Sequence, residues 1–304
     1  MTNKMIVILG ATASGKTKLA VRLAHELNGE IISADSRQVY KSLDIGTGKD
    51  LNEYIVDGRI IPYHLIDVTD PEKEFNLFEF QSGFYEIYWD LIHRNVLPVV
   101  VGGTGLYLES IILNYHLPPA PPDQELRKNL QTRSVEELQK YLLAMKASMH
   151  NKTDLENKDR LIRAIEIERA RESQSSESLQ KQQLKAAVFG IRWDRAVLRK
   201  RITARLRQRL EEGMLEEVQS LHMAGLSWAK LESFGLEYRY ISRYLQGHIT
   251  YQEMYEQLNT RIHQFAKRQD TWFRRMERKG VAIDWISGDD YILLKERIIK
   301  YLND

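Results

Sequence analysis

Short apolar runs separated by stretches of helical period fill the first 113 residues. Met5-Ile6-Val7-Ile8-Leu9 reads as a buried strand, and Lys18 to Leu27 as a helix with Leu19, Ala20, Leu23 and Leu27 on one side. Glu30-Ile31-Ile32-Ser33 predicts a second strand. Ile60 to Asp67 predicts another, closed by the turn-prone Thr69-Asp70-Pro71. Phe75 to Arg94 has helical spacing, Val96 to Val101 is again a buried strand, and a new helix starts at Leu106. Strands separated by helices imply a parallel sheet covered on both faces.

The pattern breaks at Pro118, Pro119, Pro121 and Pro122, four of the seven prolines, which make a stiff segment that cannot continue a helix. Asp123 is placed to cap a new helix, and the chain stays helical and charged to about Arg171. Glu172 to Gln183 reads as a polar loop, Ala186 to Ile191 as a strand returning to the sheet, and Val281 to Ile286 as a late strand. On the last long helix, Met254, Leu258, Ile262, Phe265, Trp272 and Met276 form the expected buried stripe. Arg261, Arg268 and Arg275 share another face. The expected fold is therefore α/β: a phosphate-loop (P-loop) parallel sheet flanked by helices, from residues 1–113 and 186–304, carrying an all-helical insertion domain at 114–185.

Composition narrows this picture by exclusion. There is no cysteine, so disulfides, thiolate catalysis and thiolate–zinc sites drop out. The first apolar run is five residues long and ends in a glycine-rich loop, unlike a signal peptide, and no stretch approaches the roughly 20 apolar residues of a membrane span. The expectation is a cytoplasmic protein, and a monomer. A net charge of +2 leaves nucleic acid open, and the distribution of charge has to decide. Arg192 to Arg209 holds eight basic residues against Asp194 alone, with Arg201, Arg205 and Arg209 on one helix face.

Gly10-Ala11-Thr12-Ala13-Ser14-Gly15-Lys16-Thr17 fits the phosphate-binding pattern G-x-x-x-x-G-K-[ST], between a strand and a helix as that motif requires. Its N–H groups, the helix start and Lys16 all favour an anion, and the Thr17 hydroxyl can hold Mg²⁺ on a bound di- or triphosphate. Asp35 falls just past the second strand, at the edge where ligands of parallel sheets lie. It suits a Mg²⁺ ligand, a general base or a plain turn cap. Gly102-Gly103-Thr104-Gly105 is a second glycine turn at the same edge, with Thr104 able to offer a hydroxyl. Asp67 ranks below Asp35 as a metal-holding carboxylate, and His64 reads as structural. The residues alone leave open a kinase, or a nucleotide-regulated RNA-binding module without chemistry.

A longer set of segments points further: Gly10 to Thr17; Ile32 to Lys41, containing Asp35-Ser36-Arg37-Gln38-Val39-Tyr40; Leu43 to Thr47; His64 to Asp67 with Asp70-Pro71; Val101 to Tyr107; Asp159-Arg160 with Arg163-Ala164; and Ala266 to Gln269 with Thr271-Trp272-Phe273. Together they resemble the bacterial tRNA dimethylallyltransferase family. Two departures are Ala11, where the family usually has proline, and Phe234-Gly235-Leu236-Glu237-Tyr238, where a Gly-Tyr-[Lys/Arg]-Glu-like stretch is expected. The resemblance implies transfer of a dimethylallyl group from dimethylallyl diphosphate to N6 of adenosine 37, in the anticodon stem-loop of tRNA, with Mg²⁺. It implies that Gly10 to Thr17 hold the diphosphate, that Lys16, Thr17 and Arg205 stabilise its departure, and that Asp35 is the general base. It also implies tRNA contacts at Asp35, Ser36, Arg37, Gln38, Thr104, Asp159, Arg160, Leu161, Ile162, Arg163, Arg261 and Arg268.

Overall fold

The computed structural model describes residues 3–120, 123–145, 156–173, 184–288 and 290–304. Pro121, Pro122 and most of the expected polar loop lie outside the described residues. In chain order the sheet unit opens with β1 (Lys4–Gly10), α1 (Lys16–Glu26) and β2 (Gly29–Ala34). The hairpin strands β3 (Ile55–Val56) and β4 (Arg59–Ile60), then β5 (Tyr63–His64), follow. Next come α2 (Leu77–His93), β6 (Leu97–Gly102) and α3 (Gly105–Ile112). The insertion holds α4 (Gln124–Gln131), α5 (Val135–Ala144) and α6 (Lys158–Ser173). The chain returns through β7 (Lys185–Arg192), α7 (Arg195–Glu211), α8 (Met214–Met223), α9 (Trp228–Ser233), α10 (Leu236–Leu245), α11 (Tyr251–Arg278), β8 (Ile283–Ser287) and α12 (Tyr291–Asn303).

Six strands form one parallel sheet in the order β5-β2-β6-β1-β7-β8. Met5 to Leu9 of β1 are fully buried because both sheet faces are covered. The period-two alternation sorts them. Met5, Val7 and Leu9 pack with Phe80, Phe84 and Phe273. Ile6 and Ile8 pack on the opposite face with Leu19, Leu23, Leu294 and Ile298. Strands β2, β6 and β1 are neighbours in register, with Ala34 opposite Gly102 and Gly102 opposite Leu9. The loops that leave them therefore emerge side by side at one sheet edge.

The strand expected over Ile60 to Asp67 is cut to Tyr63–His64, paired with Ile31 and Ile32. Pro62 lacks an N–H, and Leu65 (φ 60°) and Asp67 (φ 56°) have left-handed backbone that no strand accommodates. On α11 the buried stripe is Met254, Leu258, Ile262, Ala266, Gln269, Phe273 and Met276. The expected Phe265 is 39% exposed and Trp272 only half-buried, because a 28-residue helix drifts past a fixed spacing and Ala266 and Phe273 take the inward positions.

The chain divides into two compact units, Met1–Asn114 with Gln183–Asp304, and Tyr115–Gln182. Within the second, Leu130, Leu138, Leu142, Leu161, Ile162 and Ile165 form a small core. Asp123 caps α4, and Ser134 with Glu137 closes a capping box on α5. Glu166, 4% exposed, accepts from Arg127, Arg163 and the Asp123 N–H.

Where β6 ends, Gly102 lies so close to β2 that a Cβ there would sit 2.2 Å from the Ala34 carbonyl oxygen. Backbone cannot yield as a flexible side chain does. Gly102→Ala should therefore lower unfolding free energy by about 1–3 kcal/mol, read as a reduced denaturant midpoint. An unchanged midpoint would show that the strand ends part freely.

Candidate active site

The phosphate-binding loop leaves β1 at Gly10 and ends where α1 starts. Gly15 (φ 85°) and Ala13 (φ 61°) both take left-handed backbone, which curls the loop around its own N–H groups. Its outward carbonyls are held by β7–α7: Trp193 Nε1 donates to Ser14 O and Arg201 Nε to Ala13 O, each at 2.9 Å. From α11, Gln269 accepts the Thr12 N–H at 2.8 Å and donates to Gly103 O at 2.9 Å. One buried amide thus spans both glycine turns.

Lys16 folds back to Ala11 O at 3.4 Å. Burial, then the positive charge of Arg205, push its pKa down to about 8, against the pull of Asp35 and Glu53. Arg205 and Arg209 both pair with Asp50, Arg209 at 3.3 Å. Burial works against the Asp50 charge, but the two guanidiniums outweigh it and hold the carboxyl below its usual range. The guanidiniums rest on Gly48, where a Cβ would come 1.6 Å from Arg209 Nη2. Glu53 and Glu237 are both pushed up, chiefly by burial. Glu237 shares a small cavity with Thr12, Ala13, Ile202, Arg205 and Arg209.

Beside this cationic end, Asp35 is half-buried just beyond β2. Its Oδ1 accepts the Arg37 N–H at 2.9 Å, so the turn role is real and uses Oδ1. Thr104 Oγ1 accepts the Ser36 N–H at 3.0 Å, tying the glycine turn after β6 to the Asp35 loop. Gln38 spends its amide inside the protein, accepting from Ser33 Oγ and donating to Gly48 O. Asp67 pairs through Oδ1 with Lys49, a buried lysine that also bonds Asp44 and the Tyr40 carbonyl. His64 pairs with Glu30 at 2.7 Å, a structural role.

Several expected tRNA contacts are placed otherwise. Leu161 and Ile162 are buried in the core of the helical unit and present no side chain to a ligand. Helical period puts two residues of any five-residue run inward. Arg163 bonds the Ala120 carbonyl and Glu166, and Asp159 accepts from Gln131, while Arg160 is exposed. On α11, Arg261 and Arg268 are exposed. Arg275, expected on their face, instead turns to the fully buried Glu109 at 3.4 Å.

Sequence patterns missed Asp50, Glu53 and the bridging role of Gln269. The last left a signal: a glutamine in phase with Ala266 and Phe273 is a polar group in a core position, and such groups need partners.

Comparison with known proteins decides the family. Residues 38–276 match the family model described as IPP transferase, and residues 3–61 match the isopentenyl transferase model. The chain belongs to the IPP transferase family. It is 52% identical over 299 residues to tRNA dimethylallyltransferase 1 of Syntrophus aciditrophicus, across 98% of each protein. It is 51% identical over 303 residues to tRNA dimethylallyltransferase 1 of Geotalea uraniireducens, across 100% of this chain and 99% of that one. Among solved structures it is similar to the tRNA isopentenylpyrophosphate transferase of Bacillus halodurans, with a TM-score of 0.71, 31% identity and coverage of 99% and 97% of the two chains.

In this IPP transferase family member, Mg²⁺ would have to be held sparingly. Among the described residues no three histidine or carboxylate side chains gather into a metal cluster. A single hydroxyl, Thr17, stands at the start of α1. That donor set fits Mg²⁺, which keeps several waters and is bound chiefly through substrate phosphates.

The depressed Lys16 pKa has a measurable consequence. Below about pH 8 the ammonium is present before an anion arrives. Above it the free site carries a neutral amine, and binding must restore the proton. Pyrophosphate affinity should therefore fall as pH rises through about 8, by up to tenfold per unit. Calorimetry in buffers of different ionisation enthalpy checks the proton uptake. Lys16→Arg should flatten the profile, and an equally steep profile in that variant would assign the proton elsewhere.

Proposed function

We propose that this protein transfers the dimethylallyl group of dimethylallyl diphosphate to N6 of adenosine 37 in the anticodon stem-loop of tRNA, releasing diphosphate. The observation that carries this reading is the sharing of one sheet edge by a cationic anion loop and the Asp35–Thr104 loops, joined through Gln269. Its relatives of about 51% identity named tRNA dimethylallyltransferase support the substrate pair.

The chemistry suits these groups. The allylic C1–O bond breaks and its electron pair leaves with the diphosphate. The Gly10 to Thr17 loop, through its N–H groups other than those of Thr12 and Ser14, stabilises that charge together with Lys16 and Arg205. Mg²⁺, held by Thr17 and the phosphates, would neutralise more of it when bound. The adenine N6 is a weak nucleophile because its lone pair is delocalised into the ring. A carboxylate at Asp35 accepting the N6–H bond orients the amine and takes its proton as the N6–C1 bond forms. Thr104 keeps the Asp35 loop in place. Reaching N6 requires the base to leave the stack. The exposed Arg160, Arg261, Lys267 and Arg268 suit a sugar–phosphate backbone. Among the described residues no helix is long and apolar enough to cross a membrane. A monomer acting in the cytoplasm, where tRNA is found, completes the reading.

Two measurements test it. Protein incubated with Mg²⁺, unmodified tRNA and labelled dimethylallyl diphosphate should move label into tRNA, with no need for ATP. ATP consumption with a small acceptor, and no transfer from the prenyl donor, would replace the transferase by a kinase. Asp35→Ala should cut transfer by about 10²–10⁴-fold while anticodon stem-loop affinity stays within a few-fold. A fully active variant would remove the base assignment.

A further inference from the structure

The phosphate-binding loop is held by two side chains, Trp193 and Arg201, that bond its backbone carbonyls. We infer that Trp193 and Arg201 are positioning residues for the diphosphate site, keeping Ala13 and Ser14 in the conformation that turns the loop's N–H groups inward. This inference rests on the proposed diphosphate site and deepens it.

Ala13 has φ 61°, a left-handed conformation that an L-residue with a Cβ adopts at a cost. Such a conformation persists only when its surroundings over-determine it. Here the surroundings are specific. Arg201 Nε donates to the Ala13 carbonyl at 2.9 Å, and Trp193 Nε1 donates to the next carbonyl, Ser14, at 2.9 Å. The two donors brace each other, with the Arg201 guanidinium lying over the Trp193 ring at 4.4 Å. One Arg201 amino group also lies 3.2 Å from where a Gly15 Cβ would stand, a tight approach to that side of the loop. The Ala13 methyl is buried in the same cluster as Ile202 and Leu206, so α7 grips the loop by packing as well as by hydrogen bonding.

The consequence is a division of work along one helix. Arg205 and Arg209, one and two turns beyond Arg201, serve charge at the site through their pairing with Asp50. Arg201 has its Nε committed to a backbone carbonyl and its plane to an indole, so its contribution is shape. A lysine at 201 would retain the charge but lose the planar fork and the stacking surface.

The test separates shape from charge. In Trp193→Phe the ring remains and one N–H is lost. The dissociation constant of inorganic pyrophosphate, measured by calorimetry on the full chain, should rise by about five- to tenfold, the worth of one hydrogen bond. KM for dimethylallyl diphosphate should rise in parallel, with kcat and the KM for tRNA within about twofold. Arg201→Lys should weaken pyrophosphate binding as well, although its charge is unchanged. Wild-type tryptophan emission should shift at saturating pyrophosphate, and the shift should disappear in Trp193→Phe. If both variants bind pyrophosphate as wild type does, or if Trp193→Phe lowers kcat with donor KM unchanged, the positioning role is overturned and the diphosphate site stands. Wild-type protein that fails to bind pyrophosphate overturns the diphosphate site itself, and the positioning role with it.

Discussion

A loop can turn its N–H groups toward an anion only if its carbonyls, which then point outward, are satisfied by something else. Much around this site answers that demand. The Ser14 and Ala13 carbonyls are taken by Trp193 and Arg201, and the Ala11 carbonyl accepts from Lys16 and the Ser14 N–H. Two loop N–H groups are spent inside the protein, that of Thr12 on Gln269 and that of Ser14 on the Ala11 carbonyl. These partners come from β7–α7 and from α11, elements distant in sequence, so the loop takes its shape only when the whole sheet unit is assembled.

Electrostatics sets a second demand. Lys16, Arg205 and Arg209 crowd one half-buried region, and burial first, then the charges of Arg205 and Arg209, lower the pKa of Lys16, so in the absence of an anion the arrangement is unfavourable. Asp50 answers it by pairing with both arginines, and Glu53 lies near enough to act on Lys16. A bound diphosphate would enter competition with Asp50 for the same guanidiniums. Gly48 lets the arginines close down on this segment, and Glu217 fixes the preceding turn by accepting the N–H groups of Asp44, Ile45 and Gly46. Glu217 and the two arginines therefore hold the segment from Asp44 to Asp50 at both its ends.

These two demands explain what could be read from the sequence and what could not. The strand Met5 to Leu9, the glycine loop and the following helix follow from local period and motif, and they stand as read. The short distance of Asp35 from a strand end predicts its place, and the structure puts it at the shared edge. Asp50 and Gln269 act through partners 155 and 166 residues away, and no local pattern encodes such a separation. The resemblance marks the stretch that holds Leu161 and Ile162 without saying which side chains on its helix point inward. Arg275 shows the same gap: spacing set it beside Arg268, but the buried carboxylate of Glu109 recruits it.

The phase of α11 follows from having to serve two sides at once. Gln269 must point inward, because its amide joins Thr12 to Gly103. Lys267 and Arg268, the two preceding residues, are exposed. With about 100° of rotation per residue, fixing Gln269 inward leaves Arg268 on the flank and Arg261, two turns earlier, along the same line. The same rotation brings Phe273 under the sheet and leaves Phe265 outside, with the Arg268 guanidinium 5.9 Å from its ring centre. An apolar residue at position 269 would pack the stripe as well or better. It would leave the Thr12 N–H without its acceptor and Gly103 without its donor, so the polar side chain there is explained by the two loops and not by the core.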